Sequence, residues 1–223
     1  RANNAPLPKT YLIDMKYEGG KFLSKELISK INDRLAKKEQ VILLLNRRGF
    51  STFVTCSNCG YTYKCPNCDI TLTYHKTSNS LRCHYCSYSI KKDEMCPNCN
   101  EDALNYLGLG TQKVEEELKT LFKEANIIRM DQDTTSKKGS YQRIIDDFSA
   151  HKYDILLGTQ MISKGLDFSL VTLVGIINAD TSLNIPDFRA NEKTFSLLYQ
   201  TSGRAGRGNA PGEVLIQTFN PDN

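Results

Sequence analysis

The sequence predicts an α/β protein in which a doubly wound parallel sheet carries a small inserted zinc-binding module. Apolar runs of strand length alternate with amphipathic runs of helix length. All eight cysteines fall in four C-x-x-C pairs between residues 56 and 99, and the alternation resumes after them. A chain of 223 residues has room for one α/β core and one small module.

The residues before the cysteines are predicted to begin the sheet. Residues 11–15 form a short lead-in strand, and the apolar run 41–45 forms a strand buried on both faces, as in a parallel sheet. Between them, a helix is predicted over 23–38, because its apolar residues fall on one stripe and Ser24 can cap its start. The stripe consists of Leu27, Ile28, Ile31 and Leu35.

After the cysteines, four further strands and three helices are predicted around one more strand at 104–107. The strands are 127–130, 155–157, 171–177 and 213–219. The helices are 140–151, 193–202 and one that is opened by residues 108–111. This last helix carries Val114, Leu118, Leu121 and Phe122 on one face. We therefore expect one lobe made of residues 1–54 and 101–223, with 1–22 as a lead-in or linker. Residues 55–100 form the inserted module.

The cysteine pattern predicts metal binding rather than disulfides. Secreted disulfide frameworks scatter cysteines through a small domain, whereas here the long stretch after residue 100 contains none. Two C-x-x-C pairs supply the four thiolates of a closed tetrahedral site, so four pairs make two sites. Reduced thiols, the absence of a signal-peptide pattern and the absence of an apolar run of membrane-spanning length lead us to expect a cytoplasmic protein without membrane contact.

Four pairs can be shared side by side, interleaved or nested. Nesting joins the first pair to the last, and it is favoured because residues 55 and 100 must return to neighbouring points of one sheet. Zinc is preferred to iron for a module without a redox partner, and His75 and His84 are not needed as ligands when eight sulfurs are present. Nesting gives one site of Cys56, Cys59, Cys96 and Cys99, and a second of Cys65, Cys68, Cys83 and Cys86.

Charge and aromatic content say less about function. Eight thiolates around two divalent ions offset the formal charge of +4, so nucleic-acid binding has to depend on where lysines and arginines lie. The module contains Tyr61, Tyr63, Tyr74, Tyr85 and Tyr88. Such rings can stack on bases, but packing is the expected role for most of them in a module with little aliphatic core.

Residues 200–208, Q-T-S-G-R-A-G-R-G, form the second strong motif. Arg204 and Arg207 are predicted to project from one side of a helical turn, where two guanidinium groups suit the oxygens of a transferring phosphoryl group. The glycine before each arginine is expected to let a phosphate-bearing partner approach the backbone. A glycine-rich basic helix end is the simpler interpretation of a single Gly-Arg pair.

Two further loops are polar. Residues 158–168 follow a buried strand, and in them Thr159 can offer a hydroxyl and an N–H group to a phosphate, while Asp167 can accept from a ribose hydroxyl or orient an arginine. Asn46-Arg47-Arg48-Gly49 leaves an earlier strand with two cations. We expect all three polar loops at the same edge of the sheet, although each alone could be a solvated turn.

These motifs resemble a known family. Residues 158–168 and 200–208 look like motifs V and VI of superfamily 2 helicases. The combination of NRRG, eight paired cysteines, GLGTQKVEEEL, GTQMISKGLDF, NADTSLNIPDFRA and QTSGRAGR is similar to the primosomal replication-restart helicases. The likeness covers essentially the whole chain.

The resemblance implies the second RecA-like lobe of an ATP- and Mg²⁺-dependent 3′-to-5′ DNA helicase with two structural zinc ions in the nested arrangement. It implies branched or stalled forks and single strands as DNA partners, contact with single-strand-binding protein and other primosome proteins, and a bacterial, nucleoid-associated location. Arg204 and Arg207 would face the nucleotide γ-phosphate. The implied nucleotide contacts are Gly165, Asp167, Gln200 and Gly203, and the implied DNA contacts are Arg47, Arg48, Thr159 and Lys164.

The chain departs from a complete motor. It has no G-x-x-x-x-G-K-[ST] loop and no Asp-Glu pair after an apolar strand, so the phosphate cradle and the magnesium ligand would have to come from the missing first lobe. We therefore expect the 223-residue chain alone to be inactive. A non-catalytic zinc-dependent docking module for nucleic acid or protein is the alternative, and thiol–disulfide chemistry is disfavoured by four equivalent pairs.

Overall fold

The computed structural model describes residues 7–19, 21–46, 53–75, 78–106, 111–163, 167–185, 187, 189–208 and 210–222. The strands are β1 (Lys9–Asp14), β2 (Gln40–Leu45), β3 (Val54–Cys56), β4 (Thr73–His75), β5 (Ser80–Arg82), β6 (Ser89–Lys91), β7 (Leu104–Tyr106), β8 (Ile127–Met130), β9 (Ile155–Gly158), β10 (Val171–Ile177) and β11 (Glu213–Thr218). The helices are α1 (Lys25–Ala36), α2 (Thr111–Leu121), α3 (Ser140–Ser149), α4 (Asp180–Leu183) and α5 (Ala190–Ser202), with 3₁₀ turns at Met15–Tyr17 and Gln160–Ser163.

The main sheet has six parallel strands in the order β1-β11-β10-β2-β9-β8. Its two faces are covered by different helices. α1 and α2 pack with one hydrophobic cluster, whereas α3, α5 and the Gln160–Ser163 turn pack with the other. The predicted doubly wound parallel sheet is therefore confirmed.

The central strand β2 shows why the sheet forms here. Every residue of β2 is buried, and the strand lies between β10 and β9. Because side chains alternate across a strand, Ile42 and Leu44 enter the α3/α5 cluster, whereas Val41, Leu43 and Leu45 enter the α1/α2 cluster. A continuous apolar run is what a strand covered on both faces requires.

The predicted Ser24 cap of helix α1 is confirmed, although the helix spans Lys25–Ala36 and not 23–38. The Ser24 side chain accepts from the Leu27 N–H at 3.1 Å, which satisfies one of the free donors of the first turn. Buried Gln217 of β11 fixes the same point, because its amide accepts from the Ser24 N–H at 2.8 Å and donates to the Phe22 carbonyl at 2.7 Å. The start of α1 is thereby tied to the sheet.

The predicted face of α2 is partly wrong. Val114, Leu118 and Phe122 are buried, but Leu121 is 44% exposed. Leu121 is the last helical residue, and a position three residues beyond Leu118 on this helix turns toward solvent. The predicted opening residues 108–110 lie outside the described residues.

The strand predicted at 104–107 was expected in the main sheet, and this expectation is wrong. In the structure β7 does not join the main sheet but pairs antiparallel with β3, with Cys56 opposite Leu104 and Val54 opposite Tyr106. The two ends of the cysteine segment thus form their own short ladder. A separate three-stranded antiparallel sheet, β4-β5-β6, lies between them in sequence.

Among the helices of the described residues, none combines the length and the apolar composition needed to cross a bilayer.

Candidate metal centres and motor site

The eight cysteines gather into two groups of four, as the nested arrangement predicts. Cys56, Cys59, Cys96 and Cys99 form one group and Cys65, Cys68, Cys83 and Cys86 the other, and the sulfurs within each group lie within 4.8 Å of one another. The structure therefore brings together every predicted zinc ligand.

The sulfur spacings fit a tetrahedral ion. The Sγ–Sγ distances are 3.6 Å for Cys56–Cys99, 3.7 Å for Cys59–Cys96 and 3.4 Å for Cys65–Cys86. Four sulfurs placed about 2.3 Å from a central zinc would be separated by roughly 3.8 Å, whereas a disulfide needs about 2.05 Å. All eight thiols are free of disulfides. The residues present thus fit two Zn²⁺ sites.

Each C-x-x-C pair lies on the same kind of turn. The N–H of the residue after the second cysteine donates to the carbonyl of the first cysteine, at 2.8 to 3.0 Å in all four turns. That residue adopts positive φ each time: +75° at Gly60, +52° at Asp69, +63° at Ser87 and +57° at Asn100. Glycine, aspartate and asparagine tolerate this conformation best, so three of the four turns carry a sequence signal for it.

Backbone N–H groups prepare some of the sulfurs for metal binding. The N–H of Tyr88 is the main cause that lowers the pKa of Cys86 to about 6, and that of Glu101 lowers the pKa of Cys99 to about 7. Burial raises the pKa of Cys56 to about 12. A divalent ion is what would hold all four sulfurs of a group as thiolates, because metal binding displaces their protons.

The tyrosines of the module mostly pack, as expected. Tyr63 is buried, lies edge-on to Tyr61 with ring centroids 5.2 Å apart, and donates to Asp93 at 2.9 Å. Tyr74 is buried and donates to Asn79, and Tyr88 packs against the same cluster. Tyr85 differs, because it is 67% exposed. The rings of His75 and His84 contact each other at 5.7 Å, and neither belongs to a four-cysteine group.

A groove separates the module from the lobe. Its volume is about 510 Å³, and its walls include Tyr61 and Asn98 from the cysteine segment and Asn184 and Asn191 from the α4–α5 region. Polar side chains line most of it, so the groove suits a hydrogen-bonding partner better than an apolar one.

The loop after β9 begins at a crowded point. A Cβ atom on Gly158 would lie 2.6 Å from Ile162 Cγ2 and 2.7 Å from the Met130 carbonyl oxygen, so glycine is required there. The Thr159 N–H donates to that same carbonyl at 3.3 Å. This N–H is therefore already used, contrary to our expectation, and Thr159 would contact a phosphate through its hydroxyl.

Arg204 reaches across to this loop. It lies just beyond α5, which is capped by Gly203, and its Nη2 donates to the Ser163 carbonyl at 2.7 Å. Burial and the nearby Arg207 cation lower the pKa of Arg204, while Asp167 opposes that shift. Arginine remains charged throughout the physiological range, so a half-buried cation is held beside the loop.

Arg207 contacts the far end of the same loop. Its Nη1 lies 3.4 Å from Asp167 Oδ1, and its Nε donates to the Gly203 carbonyl at 2.8 Å. Asp167 thus lies in ion-pair distance of Arg207, and its predicted role of orienting an arginine stays a prediction. Arg204 contacts Ser163 and Arg207 contacts Asp167, so residues of the two predicted motifs lie together.

The glycines of this motif do not share one role. Gly206 has φ of +66°, and a Cβ there would lie 2.3 Å from the Gly212 nitrogen. A Cβ on Gly208 would likewise lie 2.2 Å from the Ser169 carbonyl oxygen. A Cβ on Gly203 would meet nothing closer than 3.4 Å. The chain's own backbone therefore requires Gly206, and of the two glycines before the arginines only Gly203 leaves space for a ligand.

The expectation of three loops at one edge is wrong. The Gly206 N–H donates to the Val171 carbonyl at the start of β10, whereas Asn46 and Thr159 follow the ends of β2 and β9. Helix α5 runs antiparallel to the strands, so its last residues reach the edge where the strands begin. The arginines and the Thr159 end of the loop are consequently at opposite edges.

Five further residues were predicted to contact nucleotide or DNA. Gln200 is exposed at the end of α5 and donates to Ser196 at 3.1 Å. Arg47, Arg48, Lys164 and Gly165 lie outside the described residues, and their roles remain predictions.

Sequence reasoning missed Asn46 as an organising residue. Asn46 is buried, donates to the Ala179 carbonyl at 3.0 Å and accepts from the Ser182 hydroxyl at 2.6 Å. It therefore joins the end of β2 to the residues after β10. Its place directly after a buried strand was the available signal, but its partners are more than 130 positions away.

Asp180 organises the neighbouring strand end. Its buried carboxylate accepts from the Thr218 hydroxyl at 2.7 Å and from the Phe219 N–H at 2.8 Å. Phe219 in turn touches the first cysteine turn, since a Cβ on Gly60 would lie 2.3 Å from Phe219 Cβ. The lobe and the cysteine segment are thus in direct contact at this point.

A second missed carboxylate lies at the end of β8. Buried Asp131 accepts from the Thr111 hydroxyl at 2.5 Å and from the Thr134 N–H at 3.0 Å, and Arg129 Nε lies 3.0 Å from it. Burial alone would raise the pKa of Asp131, but these donors lower it. This carboxylate fixes the start of α2 to the sheet.

Comparison with known proteins agrees with this architecture. A family described as "Helicase conserved C-terminal domain" matches residues 99–209, and one described as "PriA DNA helicase Cys-rich region (CRR) domain" matches residues 65–91. The fold and these matches define the class as a helicase C-terminal domain with an inserted cysteine-rich region.

Full-length relatives narrow the class. The "Replication restart protein PriA" of Bacillus subtilis is 50% identical over 99% of this chain, and those of Synechocystis and Haemophilus influenzae are 44% and 42% identical over 99% and 100% of it. Over nearly its whole length, the chain is therefore similar to one segment of the PriA proteins. It spans 28% to 30% of the length of these relatives.

A solved structure gives a looser likeness. Domain 2 of the DEAD-box helicase Mss116p, bound to an RNA duplex, is 15% identical with a TM-score of 0.49, and the match covers 94% of this chain and 54% of that one.

Proposed function

We propose that this chain is the second motor lobe of an ATP-dependent, 3′-to-5′ DNA helicase that acts in replication restart. The observation that carries the proposal is that Arg204 contacts Ser163 and Arg207 contacts Asp167, so both arginines of one motif meet residues of the other. Two oriented guanidinium groups on a single face suit the developing charge of a transferring phosphoryl group.

In this proposal, another part of the full-length protein binds the nucleotide and brings it to this lobe. The sequence has no phosphate-binding loop, so another part of the full-length protein would hold ATP and Mg²⁺. Arg204 and Arg207 would contact the γ-phosphate, and Asp167 would keep Arg207 in position. Gln200, Gly203 and Gly165 would line the nucleotide, with Gly203 offering the close backbone approach.

DNA would bind at the opposite edge of the same face. Thr159 lies at the end of β9, far from the Gly206 turn at the start of β10, and its hydroxyl suits a backbone phosphate. Arg47 and Arg48, which follow β2 in the sequence, would add cations there, and Lys164 is proposed as a further DNA contact. The loop from Thr159 to Asp167 would then join the DNA site to the nucleotide site, which is the link that a motor needs.

We propose zinc as the metal of both four-cysteine groups, with residues 55–100 as an independently stabilised module. The sulfur spacings of 3.4 to 3.7 Å and the repeated turn geometry support zinc. When bound, each ion would supply folding energy to a segment whose own hydrophobic cluster is small and consists largely of cysteine and tyrosine side chains. The β3–β7 ladder closes the segment at residues 54–56 and 104–106, so it favours a boundary slightly outside the predicted 55–100.

The proposed partners follow from the relatives. The Bacillus subtilis relative, which is 50% identical over 99% of this chain, is a replication restart protein. This relationship supports branched or stalled forks and single strands as the proposed substrates. Single-strand-binding protein and other primosome proteins are proposed on the same basis.

A docking module without catalysis is the second candidate. The exposed Tyr85 and the polar groove of about 510 Å³ beside the cysteine segment favour it. The two candidates differ in what the arginines do, so the arginines decide between them.

The test is carried out in the full-length protein containing this chain. Arg204→Ala and Arg207→Ala should each lower DNA-stimulated ATP turnover by about 10³-fold or more, the scale of a lost arginine finger, while the Kd for single-stranded DNA stays within about twofold. ATP hydrolysis and DNA binding by fluorescence anisotropy measure the two effects.

Arg143→Ala is the matched control. Arg143 is 85% exposed on α3 of the same face and touches neither motif in the described residues, so its loss should leave turnover unchanged. Wild-type turnover retained in both Arg204→Ala and Arg207→Ala would contradict the motor function, and a DNA affinity lost in parallel would assign the arginines to DNA instead.

A further inference from the structure

Three of the four C-x-x-C pairs read C-x-N-C, and each of these asparagines donates to a sulfur. In one group, Asn58 Nδ2 donates to Cys99 Sγ at 3.7 Å, and Asn98 Nδ2 donates to Cys59 Sγ at 3.4 Å. Each amide thus reaches across its group to the second cysteine of the partner pair. We call this group the outer group, and its members are Cys56, Cys59, Cys96 and Cys99.

The inner group has one such amide among the described residues. Its members are Cys65, Cys68, Cys83 and Cys86. Asn67 Nδ2 donates to Cys86 Sγ at 3.7 Å, in the same way as the two outer amides. The matching position of the other pair is Tyr85, which has no amide and is 67% exposed. By comparison with the outer group, the sulfur that is left without an amide is that of Cys68.

Backbone N–H groups do not replace the missing amide. The other three sulfurs of the inner group each accept from a backbone N–H, such as that of Tyr85, which lies 3.4 Å from Cys83 Sγ. The neighbours of the Cys68 sulfur are instead those three sulfurs. Within the described part of the module, Cys68 is therefore the inner-group sulfur with the fewest N–H donors.

Hydrogen bonding and exposure give different answers about which inner sulfur reacts first. A donated N–H withdraws negative charge from a thiolate, so second-shell donors make a ligating sulfur a weaker nucleophile. By this criterion Cys68 is the strongest nucleophile of the group. Exposure alone would favour Cys86, which is exposed, whereas Cys68 is partly buried. Since the attack itself is made by the sulfur's electron pair, we give the hydrogen bonds more weight.

We propose that Cys68 is a site of covalent modification by electrophiles and peroxides, and that its reaction dismantles the inner zinc site while the outer site persists. The inference rests on the zinc sites of the proposed function. The outer group is protected by its two reciprocal amides, which the inner group has only in half.

The reaction with a peroxide balances without any further reagent. The Cys68 sulfur attacks one oxygen, the O–O bond breaks, and hydroxide leaves with the bonding electron pair. A second thiolate of the inner group, whose sulfurs all lie within 4.8 Å of one another, then displaces a second hydroxide and forms a disulfide. Two sulfurs together lose two electrons, and the peroxide is reduced to two hydroxide ions.

Limited alkylation of the full-length protein containing this chain tests the order of reaction. Iodoacetamide is added at less than one equivalent per chain, so that a sulfur–carbon bond forms and iodide leaves. Singly labelled chains are digested and mapped by mass spectrometry, while a chromophoric chelator measures released zinc. Among the eight cysteines of this segment, the first label should lie on Cys68, with one zinc ion released per label. A first label on Cys86 or on an outer-group sulfur would overturn the proposal.

Metal analysis before the reaction separates two kinds of failure. Two zinc ions per chain together with a first label on another sulfur would remove this inference alone. Fewer than two zinc ions per chain would overturn the zinc sites themselves, and this inference with them.

Substitution of Tyr85 reverses the expected order. Tyr85→Asn supplies the missing amide and should slow the alkylation of Cys68 by about tenfold, the lower end of the effects of second-shell partners. Tyr85→Ala is the matched control, because it removes the same ring without adding a donor and should not slow the reaction. Equal alkylation rates in the two variants would overturn the proposal.

The outer group provides the converse experiment. Asn98→Ala removes the amide donor of Cys59, so alkylation of Cys59 should become about tenfold faster and zinc should then be lost from the outer group as well. Peroxide treatment followed by disulfide mapping should give the same order of sensitivity. A Cys59 sulfur that stays as unreactive as in the wild type would contradict the protective role of the amides and overturn the proposal.

Discussion

At the scale of single residues, the Gly-Arg motif combines two different requirements that look alike in the sequence. Gly206 is needed because its φ is +66° and the Gly212 backbone leaves no room for a Cβ. Gly203 has φ of −63° and open surroundings, so the fold itself accepts a larger residue there. The two glycines therefore separate the requirements of folding from those of ligand binding.

Substitution of each glycine by alanine makes this difference measurable. Gly206→Ala should lower the free energy of unfolding by about 1–3 kcal/mol or more, because it adds strain at positive φ and a clash with Gly212. Gly203→Ala should stay within about 0.5 kcal/mol of the wild type. Urea denaturation measures both. Equal destabilisation by the two substitutions would show that the close approach to Gly212 does not matter.

Asp131 carries a prediction about pH. Its pKa is lower in the folded chain than the ordinary value of about 3.9, so its ion pair and hydrogen bonds stabilise the fold above that pH, and this stabilisation is lost as the pH falls through the lowered value. Asp131→Asn should therefore cost about 1.5–3 kcal/mol at pH 7. The difference from wild type should narrow below about pH 4.

The pH series is measured by urea denaturation of both proteins under the same conditions. Loss of zinc in acid affects the two alike, so the difference between them isolates the carboxylate. A difference that stays constant down to the lowest pH would mean that Asp131 does not titrate with folding.

At the scale of elements, the local sequence pattern was sufficient to predict the bounds of those strands that are defined by burial alone. β8 and β10 have the predicted bounds, and β9 extends the prediction by one residue, because apolar runs between turn residues leave few alternatives. The partner of a strand is a different matter. β7 has the composition of a sheet strand, yet it pairs with β3, and nothing within three residues encodes that choice.

The direction in which an element runs also decides at which edge of the sheet its functional residues lie. The sequence predicted the last residue of α5 but started the helix three residues late, and it placed the arginines at the wrong edge because the antiparallel course of the helix against the strands was not taken into account. Asn46 and Asp180 were missed for a related reason. Their hydrogen bonds join residues 38 to 136 positions apart, and such bonds exist only after the sheet is assembled.

At the scale of the whole molecule, the cysteine segment rests on the lobe through a small contact. Gly60, in the first cysteine turn, leaves space for the Phe219 side chain, and Asp180 fixes the Phe219 backbone. None of the six strands of the main sheet contributes a cysteine to either four-sulfur group. The lobe therefore has its own core, and the cysteine segment has a smaller hydrophobic cluster in which four of the cysteines are buried.

Zinc-ligand substitutions test that division. Cys56→Ser removes a ligand of the group at the β3–β7 ladder, and Cys65→Ser removes one of the inner group, so each should lower the zinc content from two ions per chain to one. A structural zinc supplies roughly 10–16 kcal/mol to such small units, so the local fold around the missing ion should be lost. The six-stranded lobe should persist in both variants, since its clusters contain no cysteine.

Metal analysis by mass spectrometry and hydrogen exchange of β2 and β10 amides provide the two readouts. Cys56→Ser should also increase exchange near Phe219, because it loosens the turn that carries Gly60, whereas Cys65→Ser should leave that region protected. Loss of both ions in Cys65→Ser would mean that the inner group has to form before the outer one. Loss of β2 and β10 protection in either variant would mean that the lobe and the cysteine segment fold as one unit.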